Sequence, residues 1–167
     1  MPETVRERTI RWQDPVAFQR AAGKLSGIEV LRAMVRGELP PPPIAELLGL
    51  RLTSIGPSVV TFEFDPGEYM YSPLGTVHGG ILTVLLDSAM GCAFQTTLPA
   101  GTTYTTLELK VNFVRPVTDR SGTMRAEGRV VHAGGTVATT EARLRGADGS
   151  LFAHATSTLL VRRPAPG

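Results

Sequence analysis

Cysteine occurs once in the 167 residues, as Cys92. That count excludes an intramolecular disulfide framework and any cysteine-rich metal site, and it fits a reducing compartment, with the cytoplasm as the expected location. Charge of one sign never accumulates either: 17 Lys and Arg stand against 15 Asp and Glu, for a formal net charge of +2, and they are scattered along the chain. Without a block of like charges the sequence offers no arm for nucleic acid, and the pI near 9.0 leans only slightly toward an anionic ligand. Long apolar runs are missing too. The longest, Ile81 to Phe94, is interrupted and short for a bilayer span. The first fourteen residues are charged throughout and do not read as a signal peptide, so a soluble chain with no membrane partner is expected. There is no internal repeat, and no low-complexity segment beyond four consecutive prolines. With 42% hydrophobic and 19% charged residues, what remains is the composition of one ordinary globular domain.

Hydrophobic periodicity divides the chain. An amphipathic helix is expected over about Val16 to Arg36, with Phe18, Leu25, Ile28, Leu31 and Val35 as its apolar anchors. Pro40 to Pro43 end it and form a semi-rigid joint, so residues 1–43 read as an extension and 44–161 as the domain proper. A short helix, Ile44 to Leu48, precedes a hairpin of Arg51 to Ile55 and Val59 to Phe64 around Gly56-Pro57. After the apolar run, Tyr104 to Val114 alternates Leu107, Leu109, Val111 and Phe113 against Thr106, Glu108, Lys110 and Asn112, the pattern of a long half-buried strand. Three further strands follow, near Thr123 to Val131, Val137 to Arg145 and Leu151 to Val161. Ala133-Gly134-Gly135 and Ala147-Asp148-Gly149 are expected to supply positive-φ turns for an antiparallel meander. Residues 162–167 read as a tail. The run Ile81 to Phe94 is apolar on nearly every face, so it must be enclosed, and a curved antiparallel sheet wrapped around it would do so. The fold class is therefore α+β, with one long central helix.

One acid, Asp87, breaks that apolar run, and His78-Gly79-Gly80 directly precedes it. Burying an ionised carboxylate without partners costs roughly several kcal/mol, so a lone Asp in such a helix points to chemistry or to a structural ion pair. A glycine pair at a helix start leaves backbone N–H groups unpaired and lets a ligand carbonyl approach them closely, as an oxyanion hole requires. Asp87 lies seven residues past Gly80, or about 10 Å at the helical rise of about 1.5 Å per residue. That is too far for both to serve one small site within one chain.

His78-Gly79-Gly80, the helix acid Asp87, and the strand Tyr104 to Val114 ending in Arg115-Pro116 together resemble the hotdog-fold acyl-CoA thioesterases of the phenylacetic-acid-degradation type. The resemblance covers about residues 44–161 and leaves the extension aside. It implies a homodimer or a dimer of dimers in which the glycine amides of one subunit meet the carboxylate of another. It also implies hydrolysis of an acyl-CoA thioester, with Asp87 as general base or as nucleophile. Thr106, or Thr105 with a shift of one residue, matches a hydroxyl that orients the attacking water; His78 orients the loop or contacts the carbonyl. Ser72 stands where many relatives carry an asparagine whose amide polarises that carbonyl, which bears on rate and substrate preference. Neither the residues nor the resemblance calls for a cofactor or a metal.

The phosphates of coenzyme A would need cations at the site mouth, for which Lys110, Arg115 and Arg143 are candidates, although each also reads as a solvated strand charge. Met70, Tyr71, Met90 and Phe94 are candidates for the acyl side, with core packing as the other reading, while Gly80 is a candidate for substrate contact through its backbone amide. Cys92 reads as inert core, since no cation near it in sequence would lower its pKa. Two further functions fit the same fold class: a non-catalytic acyl-CoA binding or sensing module, and a dehydratase of acyl chains. Asp87 weighs against the first. His132 and His154, which lack a catalytic context, weigh against the second.

Overall fold

A computed structural model describes residues 4–163. In chain order its elements are helices α1 (Pro15–Ala22), α2 (Gly27–Val35) and α3 (Pro43–Leu48), strands β1 (Arg51–Gly56) and β2 (Val59–Phe64), helix α4 (Gly79–Gln95), and strands β3 (Thr103–Phe113), β4 (Met124–Ala133), β5 (Val137–Arg145) and β6 (Leu151–Arg162). The strands form one antiparallel sheet in the order β1-β2-β4-β5-β6-β3. The hairpin and the meander are as the sequence leads one to expect. The insertion of α4 between β2 and β3 sends β3 to the far edge, where it pairs with β6.

α4 packs against β2, β3, β4, β5 and β6, so the sheet curves around it. It packs tightly on Gly128 of β4, where a Cβ would collide with the backbone of Ala89. Leu82, Leu85, Leu86, Ala89, Met90, Ala93 and Phe94 of α4 are buried against inward residues of the sheet such as Phe64, Met124, Leu144 and Leu159. The helix is not enclosed on every side, however. Val84, Asp87, Ser88, Cys92 and Gln95, at helical spacing, form a stripe that stays half-open.

Three local expectations change. The helix expected over Val16–Arg36 is two helices, because Ser26 and Glu29 form a capping box that starts a second one and Gly27 must pass against the carbonyl of Gln95, where a side chain would not fit. The Gly134-Gly135 turn uses no positive φ, unlike Gly149 at +80°. Gly134 is needed for proximity, since its N–H donates to the Val137 carbonyl at 3.0 Å and a Cβ would strike that oxygen. β3 carries a bulge between Thr106 and Glu108. The extra residue reverses the inside–outside phase, so Leu107 is 57% exposed while Thr106 on one side and Leu109 and Val111 on the other turn inward. Arg162 closes β6, and residues 164–167 of the expected tail lie outside the described residues. Among the described residues no helix is long and apolar enough to cross a membrane.

Candidate active site

The start of α4 is fixed by the loop before it. Met70 is buried and its carbonyl accepts the N–H of His78 at 2.8 Å, while the N–H of Val77 donates to the Val117 carbonyl at 2.8 Å. These bonds hold His78 as the N-cap, where its Nδ1 accepts the N–H of Gly80 at 2.9 Å and its carbonyl accepts the N–H of Ile81 at 2.9 Å. Both glycine amides were expected to be open. The imidazole occupies the one at Gly80, so Gly79 N–H is the amide at this helix start with no partner among the described residues. The positive end of the α4 dipole is directed there. The ring of Phe113 lies against Gly79, 3.0 Å from where a Cβ would sit.

A cleft of about 500 Å³ surrounds this helix start, with Ser72, Leu74, His78, Gly79, Phe113 and Arg115 in its lining. Leu74, Phe113 and Val114 leave an apolar rim exposed to solvent. Ser72 Oγ accepts the N–H of Leu74 at 3.3 Å within the turn, which leaves its own O–H free to donate into the cleft.

A second locus lies two turns along α4. Asp87 is half-buried, less enclosed than the sequence suggests, and its Oδ1 accepts a hydrogen bond from Thr106 Oγ1 at 3.0 Å. Of the two threonines considered, Thr106 is the one that bonds Asp87; Thr105 alternates to the other face of β3. One strand step before Thr106, the phenol of Tyr104 lies against Gly91, where a Cβ would come 2.6 Å from its oxygen, and its ring meets Phe94 edge-on at 5.8 Å. Burial, followed by the charge of Asp87, pushes the Cys92 thiol up to about 12. The Tyr104 phenol is also raised, by burial first and then by Cys92 and Asp87. Both stay protonated near neutrality, and Cys92 is therefore not a nucleophile.

The remaining candidates separate from these loci. Met70, Met90 and Phe94 are core side chains at 3%, 0% and 2% exposure, since each fills space between α4 and the sheet. Tyr71 bonds Asp119 through its hydroxyl at 2.7 Å and so braces the loop. Arg143 projects from the face of β5 opposite α4 and pairs with Glu141 at 2.8 Å. Lys110, exposed between the inward Leu109 and Val111, also points away from α4. Phe113 at the Gly79 cleft and Tyr104 beside Asp87 were not singled out from sequence, although two-residue periodicity already puts Tyr104 on the face of Thr106. Among the described residues no group of three or more His, Cys, Asp or Glu could hold a metal.

Residues 74–153 match the family model described as the thioesterase superfamily. The candidate esterase PA1618 of Pseudomonas aeruginosa is 30% identical over 119 residues, which cover 71% of this chain and 81% of the relative. The chain belongs to the thioesterase superfamily. Among solved structures, a phenylacetic acid degradation-related protein of Ralstonia eutropha JMP134 is 30% identical and superimposes with a TM-score of 0.71 over 78% of this chain and 98% of its own. The PaaI protein of the phenylacetic acid degradation operon of E. coli, at 20% identity and a TM-score of 0.70 over 84% and 96% of the two chains, shares the fold. The architecture of this superfamily member, a long helix wrapped by an antiparallel sheet, is the hotdog fold. Its family match contains Gly79, Asp87 and Thr106 and excludes α1, α2 and α3.

Proposed function

We propose that the chain hydrolyses acyl-CoA thioesters at sites shared between two copies, with residues 44–161 as the catalytic unit and 1–43 as an appended segment. The observation that carries this reading is Asp87, a carboxylate on an apolar helix, oriented by the hydroxyl of Thr106 and half-open to solvent. Gly79 N–H, eight residues earlier on α4, lies about 12 Å away at the helical rise of about 1.5 Å per residue. A second copy therefore has to bring its Gly79 to this Asp87. The half-open stripe of α4 and the unpaired edge of β3 are the surfaces available for that association.

In this arrangement the thioester carbonyl rests on Gly79 N–H, with Ser72 as a second donor. Thr106 holds Oδ1 of Asp87, and Oδ2 takes a proton from water. The resulting hydroxide adds to the carbonyl carbon, and the oxyanion is met by the amide and the helix dipole. Collapse of the adduct breaks the C–S bond, and the proton held by Asp87 passes to the departing thiolate, giving a carboxylic acid and the free thiol of coenzyme A. Attack by Asp87 itself, through an anhydride opened by water, has the same balance. Arg115 at the cleft mouth is the cation best placed for the nucleotide phosphates.

Thiol release from short-chain, medium-chain and aromatic acyl-CoAs tests the proposal, with Asp87→Asn run beside the wild type. The variant should fold and lose about 10²-fold or more of the rate. Retention of activity in it would overturn the role of Asp87. Saturable binding without release by the wild type would make the chain an acyl-CoA binding module instead.

A further inference from the structure

We infer that the groove between the N-terminal helices and the far end of α4 receives the hydrocarbon tail of the acyl group, which makes the chain selective for linear acyl chains long enough to reach it. The inference rests on acyl thioester binding at Asp87 and names the substrate class for that site. The groove has a volume of about 560 Å³, within the range of small-ligand sites. Phe18, Ala22, Leu25 and Val30 come from the extension, and Leu98 and Tyr104 from the domain. No charged side chain lines it, so it suits neither the phosphates of coenzyme A nor a charged acyl terminus, whereas a hydrocarbon loses nothing by entering.

Its position relative to Asp87 is set by two elements running in step. Four residues of helix advance about 6 Å and two residues of strand about 6.6 Å, so Thr106 meets Asp87 and Tyr104 meets Gly91 one turn later. The next turn brings Gln95, about 12 Å from Asp87 by the same rise, and Gln95 lines the groove together with Tyr104. Tyr104, on the same face of β3 as Thr106 and against Gly91, thus stands between Asp87 and the groove that it lines. The walls are fixed: Gly27 N–H donates to the Leu98 carbonyl at 2.9 Å, and Gly27 leaves no room for a side chain against Gln95. The N-terminal helices therefore form one side of the groove and the end of α4 with the start of β3 the other.

The test measures binding of non-hydrolysable S-alkyl-CoA thioethers, from butyl to dodecyl, by calorimetry. Wild type should gain about fourfold in affinity per methylene once the tail enters the groove. Ala22→Trp and Thr102→Trp, filling the groove from its two sides, should abolish that gain while leaving butyl-CoA binding and the melting temperature unchanged. Either variant, if folded, serves alone. A wild-type affinity that does not change with chain length, or a length dependence unaltered in a folded variant, overturns the inference. Thiol release measured in parallel keeps the two readings apart. Length-dependent thioether binding without release leaves the groove standing and removes the hydrolase, and release without length dependence does the reverse.

Discussion

Asp87 accepts one side-chain hydrogen bond, from Thr106 at 3.0 Å, and in the proposed mechanism that bond leaves Oδ2 for water. Hydrogen bonds to charged groups contribute about 1.5–3 kcal/mol. Thr106→Val should therefore lower kcat about 10-fold or more, with KM little changed, and Thr106→Ser should recover most of it. A rate in Thr106→Val equal to wild type would remove the hydroxyl from the mechanism. Asp87 was legible in the sequence because a carboxylate in an apolar run stands out at any resolution of reading. Its partner Thr106 was reached only through the family resemblance, since simple alternation places it on the face opposite Leu107 and only the bulge decides which residues face α4. The neighbouring thiol makes a pH test. Because burial raises Cys92 from 9.0 to about 12, the folded state binds this proton more tightly than the unfolded state. Its contribution is complete below pH about 9 and falls as pH rises through the window up to about 12, by up to about 1.4 kcal/mol per pH unit. Urea unfolding at about pH 8 and about pH 10.5 should show a steeper loss for wild type than for Cys92→Ala; Tyr104, shifted in the same direction, leaves a residual slope.

At the scale of elements, the strands were legible almost to the residue because each is bounded by Gly, Pro or Asp and alternates in polarity. What escaped was decided by contacts between elements. The break between α1 and α2 depends on Gly27 meeting Gln95, which lies 68 positions away along the chain, and the inward phase of Thr106 depends on a bulge with no glycine to announce it. The seating of α4 on the sheet is of the same kind. Gly128 reads as a weak strand residue, yet a side chain there would strike the backbone of Ala89 and of Met90. Backbone atoms of a helix interior cannot step aside as a side-chain tip can, so Gly128→Ala should cost about 3 kcal/mol, at the upper end of overpacking effects. Denaturant titration would register this as a lower midpoint with an unchanged slope. A variant as stable as wild type would mean that α4 can lift from β4, and the stepwise match of α4 with β3 would then not be rigid.

At the scale of the molecule, the proposed reaction has its two halves, Gly79 and Asp87, on a single helix that cannot bring them together within one chain. Helix rise keeps Gly79 and Asp87 about 12 Å apart whatever the side chains do. β3, an eleven-residue strand, lies at one edge of the sheet with its outer backbone groups free to pair, and an edge of that length invites a second strand. A two-fold arrangement would make both sites composite, each with Gly79 from one copy and Asp87 from the other. Gly79→Leu crowds the cleft amide, and Asp87→Asn removes the carboxylate, so each variant alone should be nearly inactive. In a mixed dimer one site receives both defects and the other receives neither. Refolding the two variants together in equal amounts should then yield about half mixed dimers with one intact site in two, and so about a quarter of wild-type activity. Sedimentation of the mixture would confirm that it associates as wild type does. An associated mixture with no more activity than its parents would place each site within a single copy and overturn the shared arrangement.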